Sequence, residues 1–358
     1  MRKDSRQFLN SLLETSSVSG FEQSIQRVVR QRAAKYSDSI EIDVHGNLIA
    51  CLNPAGKLRV MLAGHCDQIG MMITHIDEKG FLYFRAVGGL DPSVIPGTRV
   101  LIQAEKGPVE GVLGQKPIHL KSQSERGQKN EIKKMWIDIG AKDGKEAKSL
   151  VSVGDVATFH LGVVDHGKNI ISSPGCDDRV GVFVVMEALR LVAEATKGKK
   201  NFPVALYAVS TVQEELGLRG ARTAAYGIDP LVGIAVDVTH ATDNPGADAK
   251  QVGTVKLGEG PTIARGANIN PVLEELLKNT AKKKKINYQP LGAPAATGTD
   301  ANALQINRRG VAAALIGIPN RYMHTQIEMV DLRDLEAAAK LIADSVMAMD
   351  AKMTFIPC

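Results

Sequence analysis

From residue 176 to the end, the chain alternates two kinds of apolar pattern. "DDRVGVFVVMEALRLVAEA", "LRGARTAAYG" and "DLRDLEAAAKLIADSVMAM" repeat apolar residues at three- and four-residue spacing, whereas "PVALYAVST", "LVGIAVDV" and "GVAAALIGI" are apolar runs of strand length. Helices interposed between buried strands on this scale predict an α/β fold, a mostly parallel sheet sandwiched by helices. Two more helices, at residues 270–284 and in "GTDANALQIN", continue the alternation.

The beginning of the chain belongs to the same plan. "SRQFLNSLLETSSVSGFEQSIQRVVRQRAAKYS" reads as two amphipathic helices broken at Ser19-Gly20, "IEIDVHGNLIACL" as a hairpin turning at Gly46-Asn47, and "KLRVMLAGHCD" as a buried strand running into His65 and Asp67. Between Gly70 and Leu161 the pattern changes to short strands, "GFLYFRAV", "TRVLIQAEKGPVEGVLG", "KMWIDIG" and "DVATFH", separated by glycine, proline and charged turns, with one helix near "DGKEAKSLV". The expected organisation is a discontinuous α/β domain, residues 1–69 and 162–358, interrupted by a small β domain over residues 70–161.

Composition excludes several functional classes. With 358 residues, 44% hydrophobic and 23% charged, the chain has room for one large domain or two. A net charge of +5 with both signs interspersed leaves no basic face of nucleic-acid type, and the run Lys282 to Lys285 closes a helical pattern, where it meets the negative end of the helix dipole. Aromatic content of 4%, with Trp136 the single tryptophan, indicates neither a base-stacking platform nor an aromatic sugar cleft. Cys51, Cys66, Cys176 and Cys358 have no paired spacing, and no signal sequence or long apolar span is evident. A soluble chain in a reducing, cytoplasmic setting is expected, with neither nucleic acid nor membrane as partner.

In open α/β sheets, ligands bind beyond the carboxyl ends of the strands. His65 and Asp67 end "VMLAGHCD", Asp177 and Asp178 follow "SSPGC", Glu214 and Glu215 end "PVALYAVSTVQ", Asp237 ends "LVGIAVD", and His324 follows "GVAAALIGI" by a short loop. Singly, each has a structural explanation: an aspartate before a helix caps it, a lone histidine is hydrogen-bonded, and either glutamate opens the next helix. Gathered at one edge, the carboxylates raise one another's pKa unless cations hold them.

Two divalent ions would do so, and imidazole and carboxylate ligands without thiolate suit zinc or cobalt, with manganese admissible. The His65-Cys66-Asp67 spacing puts Asp67 on the same face of an extended strand as His65, where its carboxylate can accept the second ring N–H and fix the tautomer. Charge separates the two glutamates. Asp177, Glu215 and Asp237 with a bridging hydroxide balance two dications, and a further carboxylate would leave the site negative. Glu214, on the other side of an extended dipeptide, is better used as general base on the water.

Taken together, "GHCDQIG", "CDDRVG", "VQEELGLRGA", "AVDVTHATDNPG", "TGTDANAL" and "IPNRYMHTQIEMVDLRDL" resemble the dinuclear metal-dependent TET aminopeptidases, the family of glutamyl, lysyl and deblocking aminopeptidases, some of whose members carry the label endoglucanase. The likeness runs in order along essentially the whole chain. It implies that His65 and Asp237 bind one metal and Glu215 and His324 the other, that Asp177 bridges both, that Glu214 is the general base, and that Asp67 orients His65. It also implies a zinc-exopeptidase-like catalytic domain, a PDZ-like dimerisation domain in the insert, and dimers that build a hollow tetrahedral dodecamer. The implied activity is removal of the N-terminal residue from unblocked oligopeptides.

Three other readings remain open at this point. A related two-metal carboxypeptidase or deacylase also uses a Glu-Glu pair and a His-x-Asp motif, although "DDRVG", "EELGLRGA" and the place of the insert favour the aminopeptidase. A glycosidase needs two carboxylates flanking a sugar, without obligatory metal. A non-catalytic oligomeric binding protein has no need of a general base beside its ligands. Cys66 and Cys176 adjoin presumed ligands and read as small buried side chains rather than soft metal ligands, and "HLKSQSERGQKNEIKKMW" reads as a polar loop with His119 on the surface. The segments around "LGEGPTIARGANIN" and "LGAPAATGTD" are expected to line the substrate pocket; Arg265 reads equally as a partner for an acidic substrate side chain or as a structural ion-pair partner.

Overall fold

The apolar runs pair into one eleven-stranded sheet, given by a computed structural model that describes residues 1–199 and 201–357; Cys358 lies outside the described residues. At its centre Val204–Thr211, Leu58–His65, Val232–His240 and Ala312–Arg321 lie side by side and parallel. They are buried almost throughout, as parallel strands covered on both faces must be. The flanks are antiparallel, with the hairpin Ser39–Ile42 and Leu48–Leu52 on one side and Glu328–Asp331, Ile170–Ser173 and Val164–His166 on the other. The sheet is therefore mixed. Parallel pairing is confined to the interior strands and to Thr262–Gly266 with Gln289–Ala293, a pair that branches from Ala312–Arg321.

Side chains alternate between two helical layers with the period of a strand. Leu58, Val60 and Leu62 enter the larger core with Leu9, Val184 and Leu335, whereas Met61 and Ala63 enter a smaller one with Ala225 and Leu304. Lys3–Glu14, Gln23–Ala33, Cys176–Thr196, Pro271–Lys284 and Leu332–Met347 supply the first layer, and Arg219–Ile228 and Asp300–Gln305 the second. Sheet and helix come close at Gly64, where a Cβ would lie 2.7 Å from the Gly181 carbonyl carbon. Without a side chain at Gly64, the strand that ends at His65 and the helix that follows Asp177 can be drawn together.

Between Leu58–His65 and Val164–His166 the chain forms a closed six-stranded barrel in the order Gly70–Ile76, Leu82–Val87, Met135–Asp138, Gly107–Gln115, Arg99–Ala104 and Val156–Phe159. It has its own core, which includes Met71, Ile73, Leu113 and Ile137, and the helix Gly144–Leu150 adds Ala147. The stretch expected as a polar loop carries short helical turns instead, among them Gln123–Arg126, which is closed by a capping box between Ser122 and Glu125; His119 is exposed. Among the described residues no helix is long and apolar enough to cross a membrane.

Candidate metal centre and active site

Sheet topology explains why distant residues meet. Ile170–Ser173 is related to the central strands by two antiparallel steps through Glu328–Asp331, so it runs in their direction and ends at the same edge. His65 is the last residue of its strand, and Thr211, its register partner, leads within three residues to Glu214. Asp237 lies in Val232–His240, Asp177 follows Ser173, and His324 follows Arg321 in a turn with φ of +61°.

Asp177 stands at the middle of the cluster. Its Oδ1 is 3.1 Å from His65 Nε2, and its Oδ2 is 3.2 Å from His324 Nε2. Beside His65, Asp237 Oδ1 lies 4.0 Å from Nε2; beside His324, Glu215 Oε1 lies 3.4 Å from Nε2. Two triads thus share Asp177: His65, Asp177 and Asp237 in one, Asp177, Glu215 and His324 in the other, with the ligand atoms of each within 4.8 Å of one another. Glu214 and Glu215 sit beyond the strand end rather than on it, yet they diverge as an extended pair would. Glu214 Oε2 turns toward His65, 3.7 Å from Nε2, and Glu215 toward His324. Asp177 Oδ1 is buried and takes part in no hydrogen bond of acceptable geometry, a state that suits an oxygen placed to hold a cation. Two imidazoles and three carboxylates without a thiolate fit a borderline dication.

The electrostatics point the same way. Hydrogen bonds to Asp177 and Glu215 hold the His324 imidazole up at about 11. Burial would push His65 down, but Glu214, Asp177 and Asp67 outweigh it and hold the ring well above its ordinary value. Asp177 is held below the usual carboxylate range, because His324 and His65 outweigh its burial. Burial, reinforced by the charges of Asp237, Asp300 and Glu215, pushes Glu214 up to about 10, and burial also raises Asp237. This crowding of negative charge is what bound cations relieve.

The supporting residues depart from the sequence expectation in an informative way. His65 Nδ1 faces the backbone carbonyl of Asp67 at 3.1 Å, with the Asp67 carboxylate farther away at 3.5 Å. That carboxylate instead accepts from Glu214 N at 3.0 Å and Glu215 N at 3.1 Å, so Asp67 holds both the ring and the glutamate pair. The strand ends at His65, and the same-face rule for extended residues does not carry on to Asp67. Asp178 keeps the capping role: it accepts from Gly181 N at 3.1 Å and from His65 N at 3.2 Å, while Asp177, joined to it by a cis peptide bond, turns into the cluster. Cys66 and Cys176 are buried in the larger core with thiols pushed up by burial, and neither belongs to a triad.

Two acids escaped the sequence reading. Glu328 Oε2 accepts from Asp177 N and from Asn320 Nδ2, both at 2.8 Å, and burial together with the charge of Asp177 pushes it up to about 8. Asp300 Oδ2 accepts from Thr211 Oγ1 at 2.6 Å. Asp300 opens a helix behind its Thr299 cap, which gives it the look of an ordinary first-turn acid; Glu328 carries no local signal.

The inserted barrel also reaches the cluster. A Cβ on Gly89 would lie 2.8 Å from His324 Nδ1, and one on Gly88 would lie 3.3 Å from Glu215 Oε2. The same loop is tied down by Gln326 Nε2, which donates to Val94 O at 2.8 Å.

A cavity of about 630 Å³ opens over both triads. "LGAPAATGTD" lines it with Leu291, Ala293, Thr297, Gly298 and Thr299, whereas "LGEGPTIARGANIN" contributes none of its wall. Arg265 is 78% exposed, with Nε 3.9 Å from Glu274, so of its two readings the structure supports the ion-pair partner.

The sequence model of the family described as M42 glutamyl aminopeptidase matches residues 46–341. The lysyl aminopeptidase of Pyrococcus furiosus is 37% identical over 354 residues, which cover 98% of this chain and 99% of that one. Among solved structures, a TET aminopeptidase from a marine sediment archaeon of the Thaumarchaeota superposes with a TM-score of 0.91 at 32% identity, covering 97% of each chain. The TET1 peptidase of Pyrococcus horikoshii, which can assemble into a tetrahedron or a large octahedral shell, gives a TM-score of 0.85 at 30% identity, covering 96% of this chain and 100% of that one.

Proposed function

Since this chain belongs to the M42 glutamyl aminopeptidase family, and is thereby a metal-dependent hydrolase, we propose that it removes the N-terminal residue from unblocked oligopeptides at a two-metal centre. In this reading His65 and Asp237 hold one ion, Glu215 and His324 hold the other, and Asp177 spans both. The observation that carries it is the geometry of Asp177, whose two oxygens face two different histidines at 3.1 Å and 3.2 Å. Zinc or cobalt, with manganese admissible, would supply Lewis acidity at the scissile carbonyl and lower the pKa of a bridging water.

Glu214 is the general base. It takes the proton of the attacking water and returns it to the leaving amine, while Asp67 fixes its backbone through the 3.0 Å hydrogen bond from Glu214 N. No lysine or arginine lines the cavity among the described residues, so a substrate's C-terminal carboxylate finds no cationic side chain to anchor it there. That favours a free α-amine as the recognised end and counts against the carboxypeptidase and deacylase readings.

Residues 1–69 and 162–358 form the catalytic part in this reading, and residues 70–161 a β domain that pairs subunits. Dimers build a dodecamer, a reading supported by a solved TET1 dodecamer and by the assembly of the TET1 peptidase into a tetrahedron. Peptides are the substrates, and the cytoplasm is the proposed location. The test is a comparison of aminoacyl p-nitroanilides with N-acetyl amino acids on chelator-stripped protein before and after zinc or cobalt is restored. Hydrolysis of free-amine substrates alone, and only with metal, is expected; preferential hydrolysis of the N-acetyl amino acids refutes the proposal.

A further inference from the structure

The cavity wall restricts the first residue of the substrate, an inference that rests on the aminopeptidase reading. Outside the ligand cluster the wall is built from Leu218, Val238, Val252, Leu291, Leu315 and Met323, interspersed with threonine hydroxyls and one imidazole, His240. With the amine and carbonyl of the first residue at the cluster, its α-carbon is one bond from each. Its side chain must therefore leave the cluster directly into the nearest wall. Apart from the ligand cluster, that wall is mostly apolar.

We infer that the subsite for the first residue takes a neutral, apolar side chain and disfavours both carboxylates and ammonium groups. An acidic side chain would find no lysine or arginine among the described residues of the wall to pair with. Arg265 points to Glu274 outside the cavity, and the Arg321 guanidinium is already held by both oxygens of Asp243, at 2.9 Å and 2.7 Å. A lysine ammonium would lose its water against leucine and valine, with no acid in the wall beyond those assigned to the metals and the base. The volume, about 630 Å³, lies within the roughly 300–1,000 Å³ of small-molecule sites, so a large apolar side chain is not excluded by space. The lysyl preference in the name of the Pyrococcus furiosus relative does not follow for this wall.

The test is kcat/KM of the assembled, metal-replete enzyme on the p-nitroanilides of L-leucine, L-methionine, L-glutamate and L-lysine. Leucine and methionine should exceed glutamate and lysine by roughly tenfold or more. An equal or higher value for glutamate or lysine overturns the inference. Leu291→Asp changes the wall without touching a ligand and should shift the lysine-to-leucine ratio upward by roughly tenfold; an unchanged ratio overturns the assignment of this wall. Because the ratio is taken within one preparation, partial loss of folded protein cancels. Failure of the aminopeptidase reading is a separate result: no free-amine substrate is cleaved at all with metal bound, and the inference falls with it.

Discussion

The contact between the inserted barrel and His324 can be tested by adding one methyl group. In Gly89→Ala the new Cβ would stand 2.8 Å from His324 Nδ1 and 3.1 Å from Cε1. Comfortable contact begins at about 3.5 Å, so the imidazole must retreat by about 0.7 Å. Metal–ligand distances tolerate only about 0.2 Å, and losing the outer support of a ligand costs about 10- to 100-fold in metal affinity. Gly89 has no left-handed φ, so the backbone accepts alanine and the effect should not arise from strain. The expected outcome is selective: the ion held by Glu215 and His324 weakens by about 10- to 100-fold, while the ion held by His65 and Asp237 is retained. Titration calorimetry with zinc, and metal content after dialysis, would read the two sites, with circular dichroism to confirm the fold. Gly127→Ala, on the same barrel with nothing within 4 Å of its Cβ, is the control. Equal loss at both sites, or wild-type affinity at both, would refute the role given to the barrel loop.

The remaining expectations separate residues that hold from residues that react. Glu214→Gln should bind metal normally and lose about 10²- to 10⁴-fold in kcat, whereas Glu215→Gln should weaken metal binding first; if both keep metal and lose turnover equally, the division of labour is wrong. Asp67→Ala removes the acceptor for Glu214 N and Glu215 N and should lower both metal affinity and kcat, so a loss confined to one of the two would show that Asp67 serves only one glutamate. Glu22 accepts from Gly20 N at 2.7 Å and Gln213 N at 3.1 Å, and burial pushes its carboxyl up to about 7. A raised folded-state pKa means that its contribution is complete below the unfolded value of about 4.3 and is lost as pH rises through about 7. Glu22→Gln should therefore gain in urea midpoint relative to the parent across that interval, and a pH-independent difference would refute the assignment.

The central strands were legible because each is a continuous apolar run long enough to stand out, and because their carboxyl ends carry the acids and histidines. Val164–His166, Ile170–Ser173 and Glu328–Asp331 were not, since strands of three or four residues offer no period to read and exist through the neighbours they pair with. Yet Ile170–Ser173 is what brings Asp177 to the same edge as His65 and Asp237. A similar gap separates ligands from supports. A candidate ligand must be a particular residue type, so His65, Asp237 and His324 stand out, whereas Asp177 and Asp178 are chemically identical neighbours told apart only by which one caps the helix at Gly181. Supports act through whatever backbone lies within reach: Glu328 on Asp177 N, Asp67 on two successive amides, and Gly89 by lacking a side chain altogether. Such roles depend on distances between segments far apart in the chain. The residues of the candidate site could therefore be picked out of the sequence, while the contacts that hold them together could only be read from the fold.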